Sequence, residues 1–453
     1  MHSIISEQRT YFNTHATKDV SFRIQQLKKL KKTLKANESL LLEAIYADFK
    51  KSPFDTLVTE LALVYQDIDE ACKKLYVWSR KKPTRTNLLN FPARSYVLPE
   101  PLGVVLVIGA WNYPYQLSLA PLVAAMAAGC TVVLKPSELP ARTSAAMKRI
   151  ISESFSEAYI AVVEGGIPET TQLLAEKFDK IFFTGSTAVG KIVYKAAAEH
   201  LTPVTLELGG KSPAFVTADC NLKMTAKRLI WAKFLNAGQT CIAPDYVLVD
   251  RQMEQPFLEA CRKEIEKEQL SFANGNYSQI INNQNFERLQ SLIDPAKVFC
   301  GGTVDSAERY IAPTIIQNAT FEDAIMQEEI FGPILPVIPY DSLDDAINKV
   351  AGLPKPLSCY VFTGTSKTKK KVLNSLSFGA GMVNDAVMHI TNSHLPFGGV
   401  GASGIGSYHG EAGFRTFTHY KGVIEKSNWL ELPLKYFPHT KTKLWWVKQV
   451  FKW

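Results

Sequence analysis

Three short stretches hold residue types that can do chemistry together. NAGQTCIAP (236–244) carries one thiol, Cys241, in a run with no charged side chain. TLELGG places an acid, Glu207, at the end of a run built from Val204, Leu206 and Leu208, where a carboxylate is costly to bury unless paired or tuned. GAWNYP puts Asn112 just after an apolar run that reads as a strand. A thiolate is a nucleophile, a carboxylate of raised pKa is a general base, and an amide N–H steadies an oxyanion. Each residue also has a plainer reading. A lone cysteine is usually a small buried apolar residue, Glu207 suits a structural salt bridge, and Asn112 suits a turn.

Two further stretches have the look of nucleotide sites. In KIFFTGSTAVGKIV (180–193) a strand runs into Gly185 and Ser186, then Gly190 and a helical pattern. The free N–H groups of a helix start can face a phosphate. The spacing is GxxxxG rather than GxGxxG, and the Lys-Ser/Thr of a Walker loop is missing, so a plain strand–helix turn fits equally well. VVLKPSELP (132–140) sets Lys135 and Glu138 directly after a buried strand, where an acid can accept ribose hydroxyls and a lysine can reach a ribose or phosphate oxygen. A surface turn is the alternative. QEEIFGPILP (327–336) offers Glu329 and Phe331 before a Gly-Pro turn, and the glycine-dense PFGGVGASGIGSYHG (396–410) reads as a close-packed loop.

The elements that must position these residues alternate. GVVLVIG, CTVVLKP, AYIAVVEGG, KIFFTGS and PVTLELGG are apolar strand candidates with helical patterns between them, which predicts βαβ units and a parallel sheet. SPAFVTADC, DYVLVD, YIAPTII, ILPVIPY and SCYVFTG form a second such series. The fold class is therefore α/β with two parallel-sheet domains, divided near LELGGKSP. Residues 17–80 read as amphipathic helices, with Leu27, Leu30 and Leu34 turned inward from a lysine-rich face. A segment at 87–103 and a returning strand after Thr418 read as a small projecting β element.

Bulk properties narrow the class further. The 453 residues are 46% hydrophobic and 21% charged, a globular balance with material for two or three domains. Seven scattered cysteines, with no CxxC pair or Cys/His cluster, suggest neither a disulfide framework nor a metal site, and a cytoplasmic setting is expected. The uncharged stretch 101–134 is long enough to span a bilayer, but internal Gly, Pro, Asn112 and Gln116 favour a buried strand, turn and helix. The net charge of +8 is modest for this length, and no nucleic-acid partner is expected. Part of the excess sits in residues 433–453, which hold five lysines, no acid, and Tyr436, Phe437, Trp445, Trp446, Phe451 and Trp453. That composition suits peripheral membrane contact as well as packing on a partner subunit or near a substrate mouth.

GAWNYP, LKPSE, FTGSTAVG, LELGGK, GQTC, EEIFGP and PFGGVGASG, in that order, resemble the aldehyde dehydrogenase superfamily over nearly the whole chain, and the WNYP and STAVG wording resembles its class 3 and fatty-aldehyde branch. The resemblance implies a Rossmann-like cofactor domain (1–86 and 101–208), a catalytic domain (209–417), oligomerisation strands (87–100 and 418–432), and a homodimer. It implies Cys241 as nucleophile, Glu207 as base and Asn112 as oxyanion donor. It further implies Lys135, Glu138, Gly185, Ser186, Gly190, Trp111, Glu329 and Phe331 around a bound NAD, with NADP left open by Lys135. The expected reaction is oxidation of a medium- or long-chain aliphatic or aromatic aldehyde to the acid through a thioester on Cys241. Relatives that pass the acyl group to coenzyme A lack a glutamate at the Glu207 position, and a Cys-His hydrolase would leave GSTAVG and KPSE without a purpose.

Overall fold

The first series of apolar runs forms β1 (Val104–Ile108), β2 (Thr131–Lys135), β3 (Ile160–Val162), β4 (Lys180–Thr184) and β5 (Val204–Glu207) in the computed structural model, which describes residues 1–451 apart from the Val450 side chain. Their side chains are buried on both faces, save the half-buried Val204, as a sheet covered by helices requires. The order is β3–β2–β1–β4–β5, all parallel, and the short strand Gly404–Ile405 runs antiparallel along β5 with Gly404 opposite Glu207. Chain order reverses between β1 and β4. The carboxyl ends of strands beside such a reversal leave a crevice for ligands, and Asn112 follows β1 there while Gly185 follows β4.

The uncharged stretch after β1 becomes the helix Pro114–Ala128, buried at every position but Ala124 and closed by Gly129 at φ 95°. It is core. No helix among the described residues is long and apolar enough to cross a membrane.

A second sheet contains β6 (Pro213–Val216), β7 (Tyr246–Asp250), β8 (Val298–Cys300), β9 (Thr314–Ile316), β10 (Ile334–Tyr340), β11 (Ser358–Phe362) and β12 (Ala380–Val383). Its order is β8–β9–β10–β7–β6–β11–β12, with only β8 antiparallel to its neighbour. The edge strands β8 and β12 were not foreseen. VFC and AGMV are brief and only half-buried, so they lack the apolar run that marks the other strands. The chain passes from the carboxyl end of β5 at Glu207 to the amino end of β6 at Pro213.

Helices His2–Asn13, Val20–Ala36, Glu38–Phe49 and Ala62–Trp78 precede the first sheet. Leu27, Leu30 and Leu34 are fully buried, while Lys28, Lys29, Lys32 and Lys35 face solvent. Met1–Trp78 and Pro101–Thr418 form one compact unit, and Ser79–Glu100 with the chain from His419 onward form a second. The expected boundaries change accordingly. Both α/β sheets pack into a single unit rather than parting at 208/209, and the small β element begins at Ser79 instead of residue 87, because Lys82–Thr84 already pairs antiparallel with Ala93–Pro101. Thr418–Lys426 is the third strand of that sheet. In the same unit the basic tail forms a helix, Lys441–Phe451; its Lys452 and Trp453 lie outside the described residues.

Candidate active site

Cys241 sits in a turn reached through strained backbone. After the helix Leu222–Phe234, Asn236, Ala237 and Gly238 all take left-handed φ values of 53°, 53° and 72°. Non-glycine residues hold such values only where the surroundings enforce them. Here the Gln239 side chain does so: its amide N–H groups donate to the Asn236 carbonyl (3.1 Å) and the Gln279 carbonyl (3.1 Å), and its Oε1 accepts the Ile281 N–H (3.0 Å). No helix begins at Cys241, so no helix terminus lends its positive end to the thiolate. The N–H groups of Cys241 and Ile242 themselves favour the thiolate. They are outweighed, since burial, then the negative charges of Glu329 and Glu207, push the thiol up to about 12. Unaided, this sulfur stays protonated at neutral pH.

Glu207 closes β5 and is 3% exposed. Its backbone carbonyl accepts the Gly185 N–H at 3.0 Å, yet neither carboxylate oxygen has a hydrogen-bond partner. No salt bridge stands there. Burial alone holds its pKa well above 4.5, the tuning a general base needs.

Asn112 is 2% exposed and tied to the nucleophile loop from both sides. Its Nδ2 donates to the Gln239 carbonyl at 3.0 Å, and Asn236 Nδ2 donates to its own carbonyl at 3.0 Å. One of these bonds leaves the second N–H of the Asn112 amide available. Next to it, Tyr113 Oη lies 2.7 Å from Thr240 Oγ1.

The remaining expected residues are placed by different elements. Lys135, at the end of β2, is 2% exposed and donates to the Pro136 carbonyl (2.9 Å) and Glu138 Oε2 (3.5 Å), while Glu138 is half exposed. Ser186 caps the helix Thr187–Glu199, its Oγ accepting the Val189 N–H at 3.4 Å. Gly190 lies one turn in, where a Cβ would stand 2.7 Å from Leu208, so the absence of a side chain lets the helix pack closely there. Glu329 packs on Gly209, where a Cβ would meet its Oε2 at 2.0 Å, and burial raises its pKa to about 8. Trp111 and Phe331 form an edge-to-face pair with centroids 5.3 Å apart, Phe331 at a left-handed φ of 49°.

Sequence reasoning missed the braces of this arrangement. Asp245 accepts Lys211 Nζ at 2.5 Å and the Ile330 N–H at 2.9 Å, and Arg288 donates to the carbonyl of Ile330 at 2.7 Å, so the Glu329–Phe331 segment is held from two elements. Tyr113, Thr240 and Gln239 lie inside the quoted motifs, which was the available signal. Lys51 and Glu60, considered below, gave none.

The donor set fits a nicotinamide dinucleotide. Glu138 follows β2 and Glu329 packs on Gly209 after β5, carboxylates suited to ribose hydroxyls; a capped helix start follows β4, the buried Thr184 Oγ1 has no partner, and Trp111, beside Asn112 in the chain, pairs with Phe331. Among the described residues, no cluster of His, Cys, Asp and Glu could hold a metal ion.

This combination defines an oxidoreductase of cysteine-nucleophile type, and comparison with known proteins agrees. The sequence profile described as "Aldehyde dehydrogenase family" matches residues 1–423. The chain is 47% identical over 450 residues to 4,4'-diaponeurosporen-aldehyde dehydrogenase of Staphylococcus aureus, covering 98% of each chain. It is 44% identical over 425 residues to the rat "aldehyde dehydrogenase, dimeric NADP-preferring", covering 93% of this chain and 94% of that one. A solved structure titled "Substrate bound state of Staphylococcus Aureus AldH" superposes with a TM-score of 0.97 at 46% identity, covering 99% of each chain. The chain belongs to the aldehyde dehydrogenase family. Within it, the relatives place it in the class 3 and fatty-aldehyde branch, whose members oxidise aldehydes with NAD or NADP.

Proposed function

We propose that this enzyme oxidises extended apolar aldehydes to free acids, with Cys241 as nucleophile, Glu207 as base and Asn112 as oxyanion donor. The observation that carries the reading is a partnerless carboxylate, its pKa raised by burial, close enough to the Cys241 thiol for its charge to act on that sulfur. Glu207 takes the thiol proton as the sulfur attacks the carbonyl carbon. The Asn112 amide and the Cys241 N–H then hold the oxyanion of the tetrahedral adduct. A dinucleotide held by Glu138, Ser186 and Glu329 would supply the hydride acceptor and a positive charge that favours the thiolate. Cys241 is left as a thioester. Glu207 first passes the thiol proton to solvent and then removes a proton from the attacking water; the carbon–sulfur bond breaks, the sulfur leaves as thiolate and is reprotonated, and the acid departs.

The half-buried Trp111 and Phe331 offer apolar surface to a long substrate, and the Staphylococcus aureus relative is named for an aldehyde substrate. Glu138 at the ribose end repels a 2′-phosphate and favours NAD; Lys135, already engaged with Glu138, leaves NADP use open. A chain-length series of aldehydes with NAD and NADP tests this. We expect kcat/KM to rise with chain length and to be higher with NAD. Indifference to length would remove the apolar-substrate reading.

We further infer a homodimer, since the rat relative is named dimeric and the small sheet ends in outer strands with an unpaired side. The setting we infer is cytoplasmic, with the tail touching anionic membranes. Its support is the half-exposed Trp445 and Trp446 among lysines on Lys441–Phe451 and the exposed Phe437. Vesicle co-sedimentation of the full chain against one ending at Phe437 tests the tail, and equal binding would remove the idea.

A further inference from the structure

Lys51 and Glu60 are both sealed from solvent, and the reaction just described uses neither. Lys51 Nζ lies 2.6 Å from Glu60 Oε1, with side-chain exposures of 1% and 0%. A buried ion pair has no general stability advantage over well-packed apolar side chains, so its place in the fold needs another reason. The backbone is shaped for it. Between the short helix Pro53–Thr56 and the helix Ala62–Trp78, Leu57–Leu61 widens into a π-turn, a local distortion common at functional sites, and Glu60 is turned inward on it.

The pair reaches both sides of the oxyanion hole. Glu60 Oε2 accepts the N–H groups of Tyr115 (2.7 Å) and Gln116 (3.3 Å), the first turn of Pro114–Ala128, two and three residues from Tyr113. A carboxylate there satisfies orphan donors and fixes the direction in which the Asn112–Tyr113 turn leaves the helix. Lys51 Nζ sits 3.9 Å from the centroid of the Tyr113 ring, whose hydroxyl bonds Thr240, the residue before Cys241. One arm therefore ends on the helix start that follows Asn112, and the other on Thr240, the residue before Cys241.

We propose that Lys51 and Glu60 are positioning residues that set the spacing between the two oxyanion donors, Asn112 Nδ2 and the Cys241 backbone N–H. The inference rests on the roles proposed above for those donors. Neither Lys51 nor Glu60 touches substrate or cofactor; they act through the helix start and through Tyr113. Loss of a whole oxyanion donor costs about 10²- to 10³-fold in rate, so loss of its alignment should cost somewhat less.

The test uses the full-length enzyme, with rates normalised to active thiol by titration with iodoacetamide. Two pre-steady-state rates are read: NADH formation from an aldehyde, and acylation by a p-nitrophenyl ester without cofactor, which needs the oxyanion hole but no hydride acceptor. Glu60→Gln and the double variant Lys51→Met/Glu60→Gln should each slow both rates by roughly 10- to 100-fold, below the full oxyanion-donor range, with NAD affinity unchanged. The double variant carries no lone buried charge and should regain thermal stability without regaining rate. A merely structural pair would recover both together. Tyr113→Phe cuts only the hydroxyl link to Thr240 and should slow both rates several-fold, which keeps the idea testable if the charge variants fail to fold. Wild-type acylation rates per titrated thiol in Tyr113→Phe or in the double variant would overturn it. Failure of the dehydrogenase reading would show differently, as a wild-type enzyme acylated by the ester yet forming no NADH from any aldehyde.

Discussion

Glu60 and Glu207 are carboxylates in equally dry surroundings, and the fold treats them in opposite ways. Around Glu60 every need is met: an ammonium at 2.6 Å on one oxygen and two backbone N–H groups on the other. Around Glu207 nothing is offered, and both oxygens are bare. Desolvation of the two is alike, so the difference lies in the partners supplied. A saturated carboxylate is fixed in place, which suits a brace. A starved one holds a proton well above pH 4.5 and gives it up or takes it back as its neighbours change, which suits a base. The site joins the two kinds: a rigid frame around mobile protons.

Substitutions should separate the regions by kind of effect as well as by size. Cys241→Ala should abolish aldehyde-dependent NADH formation, by about 10⁴-fold or more, the scale expected when a nucleophile is removed, while melting as wild type does. Glu207→Gln should lower steady-state turnover by about 10²- to 10⁴-fold. Stopped-flow should still show a first burst of NADH, slower than in the wild type because the thiol has lost its base, but complete before turnover, because the step that suffers most is attack by water on the thioester. Asn112→Ala should slow that burst by about 10²- to 10³-fold. A burst lost in the first of these last two variants and kept in the other would reverse the assigned roles.

Stability sharpens the contrast from the other side. Lys51→Met leaves Glu60 without its ammonium and should cost about 3–5 kcal/mol in denaturant unfolding. Glu207→Gln removes no partner and should cost nothing. Its smaller effect depends on pH. Burial raises the Glu207 pKa from 4.5, so the folded chain keeps a proton that the unfolded chain releases. The penalty is absent below pH 4.5 and grows as pH rises toward the folded value. The melting temperature of Glu207→Gln should therefore exceed that of the wild type by a margin that widens with rising pH. A margin that narrows would mean that Glu207 has an ionic partner in solution.

Which parts of this were legible in the sequence follows the same division. The starved site lies in short, contiguous signals: Glu207 interrupts an apolar strand, Cys241 sits in an uncharged turn, and Asn112 follows β1. Strands buried on both faces announce themselves as unbroken apolar runs, so β1 to β7 and β9 to β11 could be read directly. The brace could not. Lys51 and Glu60 stand among ordinary helical charges, and nothing local shows that one of many lysines meets one of many acids inside, or that Glu60 reaches Tyr115, 55 residues on. The edge strands β8 and β12 were missed because half-buried edges need no apolar run. The Gly404–Ile405 strand beside Glu207 was hidden in a loop whose glycines signal close approach but not its partner.

The central claim is a covalent bond between substrate and Cys241. It is tested most directly by mixing Glu207→Gln with NAD and a long-chain aldehyde, quenching in acid, and weighing the intact chain and its peptides. The account predicts one acyl group per chain, on the peptide carrying Cys241, in amounts equal to the NADH of the burst. NADH formed in full with an unmodified Cys241 peptide would contradict it.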